Sequence, residues 1–176
     1  MAVEYLLDSV PHKEQHRAAH GLLADMLKRL YGIDYTEDMI TKGKYGKPYL
    51  ADYPDIFFNL SHSEGITACI VDRSECGVDC ERVRKYRPNV MKRAFSEAER
   101  AAVEAAPESE RNLIFFILWT LKEAYIKAIG MGLSFPLEKA EFSVVDGEIS
   151  SSIEGYEFRT EIIGNGELVI STAIKL

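Results

Sequence analysis

The sequence predicts an α+β protein of two lobes, each mixing a small antiparallel sheet with helices. Two stretches, residues 13–31 and about 108–129, repeat apolar side chains at helical spacing. Short segments rich in β-branched and aromatic residues lie between those stretches and again after the second one. A length of 176 residues suits one sizeable domain or two small lobes packed together, and a junction near residues 72–76 divides the segments evenly.

In chain order, VEYLL at 3–7 reads as a strand, and the helix over 13–31 stops at Gly32. KGKYGKPYL, with its glycines and Pro48, reads as a loop. FFNL (57–60), ITACIVD (66–72) and CGVDCE (76–81) read as strands separated by turns at SHSEG and DRSE. RVRKYRPNVMKR is basic and broken by Pro88, and Ser96 with Glu99 makes a capping box for a helix to about Ala105. The long helix then runs to Ile129 and ends at GMG, leaving EFSVV, EISSSI, YEFRTEII and ELVISTAI as closing antiparallel strands.

With 47% apolar and 28% charged residues the composition is that of a folded domain, and the net charge of −7 argues against a general nucleic-acid binder. The N-terminus lacks a basic leader before a long apolar stretch, and LIFFILW at 113–119 is too short to cross a bilayer, so the expectation is a cytoplasmic protein without membrane association. Cys69, Cys76 and Cys80 form no CxxC pair and sit in apolar strands, which favours reduced core thiols over a zinc site.

GVDCE at 77–81 sets Asp79 and Glu81 one residue apart in a strand, so both carboxylates face the same way. At roughly 6 to 7 Å and an effective dielectric near 20 they repel by about 2.5 kcal/mol, which calls for a cation or a wet face. On the long helix, Ile114, Ile117, Leu121, Ala124, Tyr125 and Ala128 form a core stripe, while the opposite face carries Phe116, Trp119, Glu123 and Lys127. Glu123 and Lys127 read either as an exposed i, i+4 pair or as the border of an inter-lobe cleft. In the second reading Glu123 joins Asp79 and Glu81 as ligands for a hard cation such as Mg²⁺, with Lys122 and Lys127 set to neutralise a phosphate.

Taken in order, YGKP (45–48), FNLSHS (58–63), GVDCE (77–81), FSEAE (95–99) and WTLKEAYIKAIGMGL (119–133) resemble the 4′-phosphopantetheinyl transferases of the surfactin-synthetase-activating type. The resemblance spans about residues 15–145, and its most specific part is the acidic strand pair followed by W-T-x-K-E-A-x-x-K. It implies Mg²⁺-dependent transfer of phosphopantetheine from coenzyme A to a serine of an acyl or peptidyl carrier protein, with release of adenosine 3′,5′-bisphosphate. It further implies Asp79, Glu81 and Glu123 as metal ligands, Glu123 also as base, and Lys127 on the leaving phosphate. Lys47 and Pro48 of the GKP loop, Ser61, His62 and Lys122 would contact coenzyme A. Arg17 would reach its 3′-phosphate, with Lys42 or Lys44 as substitutes because the N-terminal region is short.

The implied architecture is a pseudo-dimer of two similar lobes with the site at their interface: 1–74 carrying GKP and SHS, and 75–176 carrying the acidic and WTLKE motifs. That arrangement predicts a functional monomer, unlike the smaller holo-carrier-protein synthases that build their site between subunits. Arg82, Arg84, Lys85, Arg87, Lys92 and Arg93 form a run without an acid, which is either incidental surface charge or a dock for an acidic carrier protein. Clustered carboxylates and lysines also suit a Mg²⁺-dependent phosphohydrolase or nucleotidyl transferase, which would need no carrier. A serine hydrolase on Ser61 and His62 lacks a GxSxG elbow.

Overall fold

A computed structural model describes residues 2–7, 11–145 and 147–176; the side chains of His12, Lys13 and Leu133 lie outside the described residues. The chain forms β1 (Ala2–Leu7), α1 (His12–Tyr31), β2 (Ile40–Lys42), β3 (Pro48–Leu50), β4 (Phe57–Ser63), β5 (Ile66–Asp72) and β6 (Cys76–Arg82). It continues through α2 (Pro88–Ala94), α3 (Glu97–Ala105), α4 (Glu108–Ile129), β7 (Phe142–Val145), β8 (Glu148–Ser151), β9 (Tyr156–Ile163) and β10 (Leu168–Lys175).

Two antiparallel three-stranded sheets, β1-β5-β4 and β6-β10-β9, form the centre, and β2-β3 and β7-β8 are separate hairpins. The first sheet is drawn from the segments before residue 75 and the second from those after it, so the two lobes expected from the pattern each contain one sheet and one long helix. α1 covers the outer face of the first sheet, where Leu23, Met26 and Leu27 pack with Phe58, Cys69 and Val71. The inner face carries Ile66, Ala68 and Ile70 against Cys76, Val78, Cys80, Leu168 and Ile170 of the second sheet. On the far side, α4 lays Ala124 and Ala128 against Ala173 of β10.

The layers therefore run helix, sheet, sheet, helix. β5 is buried on both faces, which is why ITACIV is apolar on both faces, apart from the buried Thr67, and does not alternate with exposed polar residues. Each fully buried isoleucine of the central layer, such as Ile66 or Ile70, contributes roughly 1.5 to 3 kcal/mol. α4 is also covered nearly all round over its middle, which accounts for its weak amphipathicity. The cysteines are free and buried. No helix among the described residues is long and apolar enough to cross a membrane.

Two local expectations are corrected. The KGKYGKPYL segment is not a loop throughout: it starts at the last residue of β2 and ends with β3, pairing Lys42 with Pro48 and, through Ile40 just before it, Leu50, so that only residues 43–47 turn. SHSEG is not a turn throughout: β4 continues to Ser63, and Glu64 and Gly65 alone reverse the chain, with Gly65 at φ 83°. Serine is a poor strand former by propensity, but here the hydroxyls of Ser61 and Ser63 have specific strand partners.

Candidate active site

The site begins at Gly77. A Cβ there would lie 2.1 Å from the Ala124 carbonyl oxygen and 2.5 Å from the Ala128 nitrogen, so only glycine lets α4 rest on the backbone of β6. Strand alternation then places Asp79 and Glu81 on the same side as Gly77, towards α4, while Cys76, Val78 and Cys80 enter the central core.

β6 is an edge strand, and its free backbone donors are met by side chains of β4. Asn59 Oδ1 accepts from Val78 N–H at 3.0 Å, Ser61 Oγ from Cys80 N–H at 3.2 Å and Ser63 Oγ from Arg82 N–H at 3.3 Å. Alternate residues of β4 thus serve alternate residues of β6, joining the two sheets without a backbone ladder. The same serines then reach the acids. Ser61 donates to Asp79 Oδ1 at 2.9 Å, and Ser63 donates to Glu81 Oε2 at 2.9 Å.

Each of the strand acids has a cation. Lys127 of α4 donates to Asp79 Oδ1 at 2.6 Å, to Ser61 Oγ at 3.0 Å and to the Val78 carbonyl at 3.2 Å. Arg84 donates to Glu81 Oε2 at 2.9 Å while its guanidinium covers the ring of Phe116. Three carboxylates therefore face two cations, and the uncompensated one is Glu123. Burial, then the charges of Asp79 and Glu81, push Glu123 up to about 7 against the pull of Lys127. Burial also raises Asp79, outweighing Lys127. Burial opposes the charge on Lys127, but Asp79 and Glu123 together lift its pKa.

This arrangement can hold a divalent cation. Asp79 Oδ2 is buried and has no hydrogen-bond partner among the described residues. An unmet buried acceptor costs about 1 to 3 kcal/mol, and an ion would remove that cost. The donors are all carboxylate oxygens, which suits a hard ion. Among the described residues, the group with three ligand atoms within 4.8 Å of one another is elsewhere, at His16, His20 and Glu37. At the seam, Lys127 and Arg84 each engage one acid, and an ion would have to draw the three carboxylates together.

Lys122 departs from its expected place beside a phosphate. It is fully buried on another arc of α4, 2.8 Å from Glu99, and donates to the carbonyls of Leu137 at 3.0 Å and Ala140 at 2.6 Å. Residues 122 and 123 are 100° apart on a helix, so only one of them can face the acids. Glu99 also closes the α3 capping box and accepts from Phe142 N–H at 2.9 Å, so the pair ties α3, α4 and β7 together.

Lys47 lies at the seam, with its ammonium on the carbonyls of Ala128 at 2.5 Å and Cys76 at 3.1 Å, and burial lowers its pKa. With Pro48 it lines a cavity of about 340 Å³ that includes Tyr49, Tyr53, Phe57 and Gly130. Ser61 is buried among Asp79, Lys127 and β6, whereas His62, the next residue, is exposed. Arg17 is exposed on α1. The seam roles of Asn59, Ser63 and Arg84 escape a motif reading; the available signal is the N-x-S-x-S alternation along β4, three small polar groups on one strand face.

Comparison with known proteins points to one family. Residues 75–172 match the family model of the 4′-phosphopantetheinyl transferase superfamily. The chain is 37% identical over 145 residues to 4′-phosphopantetheinyl transferase Sfp of Bacillus subtilis (strain 168), covering 79% of this chain and 64% of that protein. It is 37% identical over 155 residues to a second Bacillus subtilis 4′-phosphopantetheinyl transferase, covering 83% of this chain and 67% of the other. Among solved structures it is similar to Thermotoga maritima holo-[acyl-carrier-protein] synthase, with a TM-score of 0.48, 17% identity, and coverage of 58% of this chain and 62% of that one.

Proposed function

Because the chain belongs to the 4′-phosphopantetheinyl transferase superfamily, we propose that it moves the phosphopantetheine arm of coenzyme A to a serine of an acyl or peptidyl carrier protein. The observation that carries this reading is the set of three carboxylates at the meeting of the two sheets: Asp79 on Ser61 and Lys127, Glu81 on Ser63 and Arg84, and Glu123 within the electrostatic reach of Asp79, Lys127 and Glu81.

In this reading the carrier serine oxygen bonds to the phosphorus that bears the pantetheine arm. The bond from that phosphorus to the bridging oxygen of the pyrophosphate breaks, and adenosine 3′,5′-bisphosphate leaves. Glu123, set on α4 beside Asp79 and Lys127, takes the serine proton. Lys127, whose charge is held by Asp79, stands ready to steady the leaving phosphate. Asp79, Glu81 and Glu123 would hold Mg²⁺, which supplies positive charge against the pyrophosphate. The cavity lined by Lys47, Pro48 and Tyr53 supports a place for the nucleotide end; the exposed His62 and Arg17 would reach towards its phosphates, the latter towards the 3′-phosphate, while Ser61, its hydroxyl engaged by Asp79, Cys80 and Lys127, would act by holding Asp79 and Lys127 in place.

The division into 1–74 and 75–176, a functional monomer and a cytoplasmic setting belong to the same proposal, since one chain carries every motif. So does a carrier dock at Arg82 to Arg93. There, Arg82 and Arg84 are engaged with Glu64, Glu167 and Glu81, but Lys85 and Arg87 are exposed beside Trp119 around a cavity of about 230 Å³. Lys85→Glu with Arg87→Glu should raise KM for the carrier severalfold at unchanged kcat; a salt-insensitive, unaltered KM would remove the dock from this surface.

The decisive measurement is mass spectrometry of apo carrier proteins incubated with this protein, coenzyme A and Mg²⁺. A gain of one phosphopantetheine, abolished by EDTA or Glu123→Gln, supports the proposal. No gain on fatty-acid, polyketide and peptide carriers refutes it, and nucleotide turnover without any carrier would assign a phosphohydrolase or nucleotidyl transferase.

A further inference from the structure

Away from the seam, α1 and the chain that follows it assemble a second set of ligand-type side chains. His16 and His20 are four residues apart on α1, which stacks them on one helix face with ring centroids 4.2 Å apart. Glu37 opens the 3₁₀ turn Glu37–Met39 and brings a carboxylate to the same point. One ligand atom from each of the three lies within 4.8 Å of the others. Ligands bound at about 2.0 to 2.2 Å around one tetrahedral ion are roughly 3.4 Å apart, so a small inward movement of side chains would complete the geometry. His16 and Glu37 are exposed, and such a movement meets little resistance from packing.

The surroundings of His20 also fit a metal ligand. Its Nδ1 is 2.6 Å from the Tyr35 hydroxyl, a contact that orients the ring and leaves Nε2 as the nitrogen for an ion. Metal-binding histidines characteristically have their other ring nitrogen held this way by a protein partner. Beside the cluster is a cavity of about 320 Å³ lined by His16, His20, Glu37, Lys42, Pro48 and Leu60.

We propose that His16, His20 and Glu37 bind a divalent transition-metal ion of the zinc type, with three protein ligands and a fourth position open to solvent. Two imidazoles and one carboxylate select Zn²⁺ over Mg²⁺, whereas the oxygen-only set at the seam has the reverse preference. The ion would pin the segment after α1 to the helix itself. Because Pro48 and Lys42 border the same cavity, occupancy would also stiffen the β2-β3 hairpin that carries Lys47.

The test uses the full chain without a histidine tag, in excess Mg²⁺ so that the seam is occupied by its own ion. Titration with Co²⁺ should give one equivalent with visible d–d absorption, displaced by Zn²⁺, and Zn²⁺ should raise the melting temperature. His16→Ala, at an exposed position, and Glu37→Gln should each weaken Zn²⁺ binding at least tenfold in calorimetry. Tyr35→Phe, which keeps all three ligands, should weaken it by about tenfold. Unchanged Zn²⁺ affinity in His16→Ala overturns the proposal, as does a Zn²⁺ site that vanishes with Asp79→Asn instead.

Discussion

The Ser61 hydroxyl donates to Asp79 Oδ1 at 2.9 Å while accepting from the Cys80 backbone N–H and the Lys127 ammonium. One donor hydrogen and two lone pairs are all in use. Ser61→Ala leaves a buried N–H and an under-bonded carboxylate, and should lower stability by about 1 to 3 kcal/mol in urea unfolding. Ser61→Cys, which retains a weaker donor and acceptor, should recover part of that loss.

Glu123 should make the metal-free protein less stable as pH rises. Its pKa is raised from 4.5 to about 7 on folding, so its contribution is fully present below about 4.5 and is lost as pH rises through about 7. Glu123→Gln cannot ionise. Calorimetry should find the variant melting a few degrees above wild type near pH 8 and close to it near pH 5. A constant difference across that range would place the effect in packing.

Mg²⁺ should stabilise the protein by giving Asp79 Oδ2 a partner. At a concentration of about one hundred times Kd the gain is about 2.7 kcal/mol, or roughly 5 to 10 °C in Tm for a chain of this size. Asp79→Asn should abolish the shift in a thermal melt, and an unchanged shift in that variant would assign the ion to other ligands.

Gly77→Ala should be among the most damaging small substitutions. The added methyl meets the backbone of α4 at Ala124 and Ala128, where no side chain can rotate away. Moving α4 disturbs both its packing and the reach of Lys127, so a loss above about 3 kcal/mol is expected, read as a collapsed unfolding midpoint or low soluble yield.

Lys122 and Glu99 form a fully buried ion pair. Removing one partner, as in Lys122→Met, should cost about 3 to 5 kcal/mol, while adding Glu99→Gln to that background should restore part of it. A double-mutant cycle measured by denaturant unfolding checks the sign of the coupling.

The extent of this that can be read from the sequence depends on which periodicity is informative. Strand alternation puts Asp79 and Glu81 on one face, and the long helix, the Ser96 capping box and the strands around GVDCE are all visible as patterns. Lys122 is not, because α4 is buried nearly all round and hydrophobicity then fails to say which arc meets the acids. The continuation of β4 through Ser61 and Ser63 is hidden for a related reason: their strand conformation depends on partners in β6, some 19 positions along the chain. His16, His20 and Glu37 meet only because the chain after α1 doubles back onto the helix, a tertiary event without local signature.

The Asn59, Ser61 and Ser63 bonds to Val78, Cys80 and Arg82 match a two-residue spacing on one strand to the same spacing on another. Such teeth allow the lobes to engage only in steps of about 7 Å along the strands. A smaller slide would break all three contacts at once, and a full step would leave one tooth unmatched. The relative placement of the halves is thus quantised, and the distance from the strand acids to α4 is set by register, in the manner of a ratchet held in one notch.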